Sequence, residues 1–109
     1  MEKIVHYSEE VEIYLNQLID VLFEKEYFGF REDAQMYVAK IKSFIDDNIS
    51  IYPPKTTPIE LREFGEKYIL YKANPQTSWY IFYIQDEHRF LVKFITNNHT
   101  DFIKDFNFS

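Results

Sequence analysis

The sequence predicts an α+β fold, with two N-terminal helices packed on a three- to four-stranded antiparallel sheet. Two amphipathic stretches fill the first half, a proline-rich break follows near residue 53, and three strand-length apolar runs joined by short turns fill the second half. Lys3 to Tyr7 reads as a short strand. Ser8, followed by Glu9, Glu10 and Glu12, reads as a helix N-cap with carboxylates facing the positive end of the helix dipole. Val11, Leu15, Leu18, Ile19, Leu22 and Phe23 then repeat at the spacing of one helical face, and Gly29 is the expected stop. A second helix is expected with Ala34, Tyr37, Val38, Ile41, Phe44, Ile45 and Asn48 on one side, antiparallel to the first.

Tyr52-Pro53-Pro54-Lys55-Thr56-Thr57-Pro58 cannot extend that helix, because proline lacks the amide donor and biases its predecessor toward extended backbone. Residues 66–73, 78–85 and 89–96 are the expected strands, joined by Asn74-Pro75-Gln76-Thr77 and by a turn at Asp86-Glu87-His88. Connections this short imply an antiparallel meander. Residues 97–106 are expected to leave the sheet and form one or two helical turns.

The 109 residues, 46% apolar and 28% charged, form one domain over 1–109. At this length roughly 60–70% of the unfolded surface can be buried, which supports a core without covalent staples. Twenty Phe and Tyr residues against two Gly and four Pro exclude disordered and collagen-like classes. The lack of cysteine removes disulfides, thiolate nucleophiles and cysteine-based zinc sites, and fits a reducing compartment. The charged, amphipathic N-terminus and the lack of a long apolar run predict no signal peptide or membrane span, so the cytoplasm is the expected location.

Charge is divided unevenly. Residues 1–50 carry five Lys/Arg against eleven Asp/Glu, whereas residues 51–109 carry seven of each, so the net charge of −6 belongs to the first half. An acidic chain binds nucleic acid poorly through counterion release alone, and any such role requires a local patch in the second half. The acidic residues on the helices, including Glu9, Glu12, Asp20 and Glu24, read most simply as a solvated face.

With Asp86 and Glu87 as a two-residue turn, Tyr83, Ile81 and Trp79 face Phe90, Val92 and Phe94, giving an apolar face for the helices. The other face is then expected to carry Tyr80, Phe82, Arg89, Leu91, Lys93 and Ile95, and, with Ala73 opposite Ser78, also Lys67, Ile69 and Tyr71. Lys and Arg among exposed aromatics suit a partner interface or a stacking platform for nucleic acid. The same pairing brings Asn97, Asn98 and His99 near Lys72, the 74–77 turn, Tyr80 and Lys93.

Three stretches, Ile59-Glu60-Leu61-Arg62-Glu63-Phe64-Gly65, Tyr71-Lys72-Ala73-Asn74-Pro75-Gln76-Thr77-Ser78-Trp79-Tyr80-Ile81-Phe82-Tyr83 and Ile95-Thr96-Asn97-Asn98-His99, resemble the RelE/ParE toxins of bacterial toxin–antitoxin systems. They look most like the RelE-like plasmid-stabilisation branch, and the order of elements over nearly the whole chain matches it. The resemblance implies a small toxin neutralised by a cognate antitoxin protein. RelE-like members cut messenger RNA on the translating ribosome, ParE-like members inhibit DNA gyrase without cutting RNA, and a degenerate member would act only as a binding module. The shared fold does not choose among them.

For the leading possibility, a metal-independent endoribonuclease with no cofactor, a base must activate the ribose 2′-hydroxyl, cations must stabilise the phosphorane, and an acid must protonate the leaving 5′-oxygen. His99 stands where several RelE-like enzymes carry a histidine, and imidazole titrates in the range that acid or base work requires. Lys93, Lys72 and Arg89 are the expected phosphate cations, with Tyr80 as a further catalytic-site group. Lys67, Tyr71, Asn97 and Asn98 are the expected RNA contacts. Solvated strand charges and core aromatics are the ordinary alternative for these positions. His6 and His88 stand at a strand start and a hairpin turn, and three scattered histidines do not form a zinc ligand set. Gly29 and Gly65 alone build no phosphate loop, and neither a Gly-x-Ser-x-Gly elbow nor a His-Glu-x-x-His helix is present.

Overall fold

The structure is a computed structural model that describes residues 2–25 and 28–100. Its elements run β1 (Ile4–Tyr7), α1 (Glu9–Glu24), α2 (Arg31–Asn48), β2 (Lys55–Thr56), a 3₁₀ helix (Ile59–Phe64), β3 (Lys67–Asn74), β4 (Thr77–Asp86) and β5 (Arg89–Asn97). The strands form one sheet in the order β1-β5-β4-β3-β2. The arrangement of two helices on a sheet is as expected, but the sheet has five strands and is mixed. β1 runs parallel to β5, with Val5 beside Phe90 and Tyr7 beside Val92, and the two-residue β2 pairs with the start of β3. Neither pairing has a local signature, because one joins chain ends and the other follows a proline break.

Local chemistry explains the helices. Ser8 leaves β1 in an extended conformation and its Oγ accepts a hydrogen bond from the Val11 amide at 3.2 Å, capping α1. α1 ends at Glu24, five residues before Gly29, and the Lys25 amide closes it onto the Val21 carbonyl. Gly29 is therefore not the stop. It lies on an exposed connection with no crowding around it. The helices are tied across their outer surface by the Arg31–Asp20 ion pair and by Lys42–Glu12 at 3.6 Å. Both groups of partners are well solvated, so these pairs orient the helices more than they stabilise them.

The core explains why the helices lie where they do. Val11, Leu15 and Leu18 of α1 and Val38, Ile41 and Ile45 of α2 bury against Ile69, Trp79, Ile81, Tyr83, Phe90, Val92 and Ile95. Truncating a fully enclosed member such as Ile41 or Ile81 to alanine costs about 2–5 kcal/mol, from lost transfer energy and the cavity left behind. On the opposite sheet face the 3₁₀ helix lays Leu61 and Phe64 over Tyr68, Phe82 and Phe94, with Phe64 stacked on Phe94 at 4.4 Å between ring centroids.

The register corrects the expected faces. The hairpin turn is Glu87-His88, with Asp86 opposite Arg89 and Glu87 in the left-handed region at φ 53°. Tyr83 therefore faces Val92, and an extra residue at Lys93 shifts the pairing so that Phe82 faces Phe94 and Ile81 faces Ile95. Phe94 belongs to the face away from the helices, and Ile95 to the helix face. On β3, Lys72 rather than Ala73 lies opposite Ser78, which turns Lys67, Ile69 and Tyr71 to the helix side. A second irregularity leaves Ala73 unmatched before Asn74 pairs with Thr77. Each bulge reverses the inside–outside alternation of the residues beyond it. The expected turns at 97–106 fall mostly on residues 101–109, which lie outside the described residues.

Candidate functional site

The effects of the two bulges meet at the same end of the sheet. Without the extra residue at Lys93, Asn97 would follow Leu91 onto the face away from the helices; with it, Asn97 lies opposite Trp79 on the helix side. Ala73 does the same for Asn74, which pairs with Thr77. The two amides thereby turn toward a cleft of about 470 Å³ between the sheet end, α1 and the α1–α2 connection. Leu18, Val21 and Leu22 of α1 form one wall, and Phe28, Tyr37 and Trp79 form an aromatic one. Lys25, Asn74, Thr77, Asn97 and His99 supply the polar part, and among the described residues no carboxylate lines the cleft.

The polar rim is held by hydrogen bonds from the end of β5 to the start of β4. Asn98 accepts from the Ser78 amide at 2.9 Å and donates to the Gln76 carbonyl at 3.1 Å. The Asn97 Oδ1 accepts from the His99 amide at 2.9 Å, fixing the turn that presents the imidazole. His99 Nε2 and Thr77 Oγ1 share a hydrogen bond at 3.1 Å, while the rest of the ring is exposed. On the aromatic wall the Trp79 indole donates to the Tyr37 hydroxyl at 2.9 Å, and Phe28 lies 5.5 Å from the Tyr37 ring. An exposed imidazole beside amides and a lysine can exchange protons with a ligand seated against the aromatic wall.

No protein-family model, curated protein or solved structure matches the chain.

The expected site residues separate into groups. His99, Asn97 and Asn98 meet the 74–77 turn as the pairing implied, with Asn98 serving as the clasp. Lys72 and Tyr80 are near this end of the sheet but belong to the opposite face, Lys72 across from Ser78 and Tyr80 across from Thr96. Burial raises the pKa of the Tyr80 hydroxyl, keeping it a neutral donor. Lys93 stands on the bulge, about 13 Å along the strand from Asn97 by strand rise, and its Nζ donates to the Glu63 carbonyl at 3.4 Å. Arg89 and Lys67 are at the far end of the sheet; from residue 89 to 97 β5 spans about 26 Å. Tyr71 is on the helix side, stacked on Phe44 at 4.7 Å.

Lys25, Thr77, Tyr37 and Trp79 were not foreseen as site residues. Lys25 had a readable signal, since positions 18, 21, 22 and 25 share one helical face and the first three form the apolar wall. Trp79 and Tyr37 looked like core residues, and the indole is indeed buried, but both residues also line the cleft. Among the described residues no group of three His, Asp or Glu side chains is placed to hold a metal ion, and no helix is long and apolar enough to cross a membrane.

Proposed function

We propose that this chain is the toxin component of a type II toxin–antitoxin pair of RelE/ParE type, acting in the cytoplasm as a ribosome-dependent messenger RNA endoribonuclease and neutralised by a cognate antitoxin. The observation that carries the reading is His99, exposed at the rim of a cleft shared with Lys25 and the Asn74 and Asn97 amides and held by the turn that ends the last strand. The succession of a short strand, two helices and an antiparallel meander agrees with the resemblance in the sequence.

In this chemistry the ribose 2′-oxygen attacks the adjacent phosphorus as its proton leaves to a base. The bond to the 5′-oxygen breaks, giving a 2′,3′-cyclic phosphate and a 5′-hydroxyl once that oxygen is protonated. His99 performs one of the two proton transfers. Lys25 stabilises the charge on the phosphate oxygens, a role the sequence had assigned to Lys93, Lys72 and Arg89.

A second reading, inhibition of gyrase or partner binding without RNA cleavage, is favoured by one observation: of the lysines and arginines among the described residues, only Lys25 lines the His99 cleft. Induced expression in a bacterial host separates the two. The nuclease reading predicts growth arrest with new in-frame 5′ ends in translated messages. Arrest with intact messages and altered DNA supercoiling would move the assignment to gyrase, and sustained growth with folded protein would leave only binding.

A further inference from the structure

Hydrogen-bond accounting in the cleft narrows what it accepts. Asn97 Oδ1 is already committed to the His99 amide and Asn74 Oδ1 to the Gln76 amide at 2.9 Å. Each amide oxygen keeps one lone pair, whereas neither Nδ2 group, with its two N–H donors, makes a hydrogen bond among the described residues. The Tyr37 oxygen accepts from Trp79, leaving its own O–H to donate. Lys25 adds an ammonium, and no carboxylate stands among the described lining residues. The free polar valence of the cleft is thus weighted toward donors, beside flat aromatic faces.

We propose that this cleft binds one nucleotide with a keto base, guanine or uracil, stacked against the Phe28 or Tyr37 ring, with its phosphate at Lys25. The carbonyl oxygens of keto bases accept from the asparagine amides, whereas the exocyclic amino groups of adenine and cytosine would set donor against donor. The cleft volume suits one nucleotide rather than a strand. This deepens the proposed function by naming the base class at the same cleft and rests on its reading of the ligand as a nucleotide. Keto-base recognition is the chemistry shared by a free nucleotide and a nucleotide within RNA.

Trp79 is the sole tryptophan, so its fluorescence reports directly on the cleft. Titration with GMP, UMP, AMP and CMP should give saturable changes in emission, with the two keto nucleotides binding about tenfold more tightly. Asn74→Asp and Asn97→Asp keep the oxygen that each turn uses and replace the free donor with an acceptor, so both should abolish the preference without lowering the melting temperature. Lys25→Ala should weaken UMP to the affinity of uridine. Tighter binding of UpU than of UMP would place the keto nucleotide within RNA, and equal binding would make it a free ligand; both outcomes support the base class. Equal affinity for all four nucleotides, a preference that survives the aspartate variants, or no saturable response would overturn the proposal. The readout is independent of growth and message cleavage: keto selectivity in a non-toxic protein would sink the toxin reading alone, and toxicity without selectivity would sink this one alone.

Discussion

Asn98 and Ser78 are joined twice: the Asn98 side chain accepts from the Ser78 amide at 2.9 Å, and the Asn98 amide donates to the Ser78 carbonyl at 3.1 Å. This clasp stitches the end of β5 to the start of β4 and fixes where the next residue, His99, is presented. Asn98→Ala would leave the half-buried Ser78 amide without its side-chain acceptor and free the Gln76 carbonyl. A loss of about 1–2 kcal/mol is expected in chemical denaturation, together with broadened His99 ring signals by NMR.

Gly65 is constrained by both conformation and space. Its φ of 152° is disfavoured for L side chains, and an added Cβ would lie 2.6 Å from the Tyr83 amide nitrogen. The close approach lets the 3₁₀ helix lay Leu61 and Phe64 on the sheet. Gly65→Ala should cost about 2–4 kcal/mol, read as a lowered melting temperature, and Gly29→Ala, with open space around it, should be near neutral.

Removing the Tyr37 hydroxyl tests the aromatic wall. Tyr37→Phe deprives the Trp79 indole of its acceptor within a largely apolar setting, and about 1 kcal/mol of stability should be lost. The Trp79 emission maximum should shift, since the indole N–H loses its partner.

Stability should fall above about pH 10, the ordinary tyrosine pKa. Burial, followed by the hydrogen bond to Asp46 at 2.6 Å and the charge of that carboxylate, raises the Tyr7 pKa, and burial also raises those of Tyr14, Tyr68 and Tyr83. Because folded-state values lie above unfolded ones, this contribution is complete below pH 10 and is lost as pH rises through the folded-state values. Tyr7→Phe should flatten the decline in thermal stability above about pH 10 and lower stability at neutral pH by about 1 kcal/mol.

The helices and the strand locations were legible because Ser8, the carboxylate-rich first turn and the 3.6-residue spacing from Val11 to Leu22 all specify the same element. The hairpin register was less legible. Asp86-Glu87-His88-Arg89 has no glycine or asparagine to mark the turn, and the left-handed residue is Glu87. The bulges at Lys93 and Ala73 carry no glycine either, yet they decide that Asn97 and Asn74 enter the cleft and that Phe94 leaves the core face. The meeting of His99 with Thr77 was readable because both stand at strand ends that short turns must bring together. The turn of Lys67 to the helix side was not, since a one-residue shift in register moves a side chain to the other face, whereas the separation of Arg89 from His99 follows from strand rise alone.

The most direct measurement of the central claim is message cleavage by the purified protein on translating ribosomes, comparing wild type with His99→Ala. Among the described residues the exposed ring makes one side-chain hydrogen bond, to Thr77, so the variant should keep its fold and its stability within about 0.5 kcal/mol. Proton transfer by His99 predicts cleavage by the wild type and a loss of about 100-fold or more in the variant. Equal cleavage by the two proteins, or none by a folded wild type, would contradict the account.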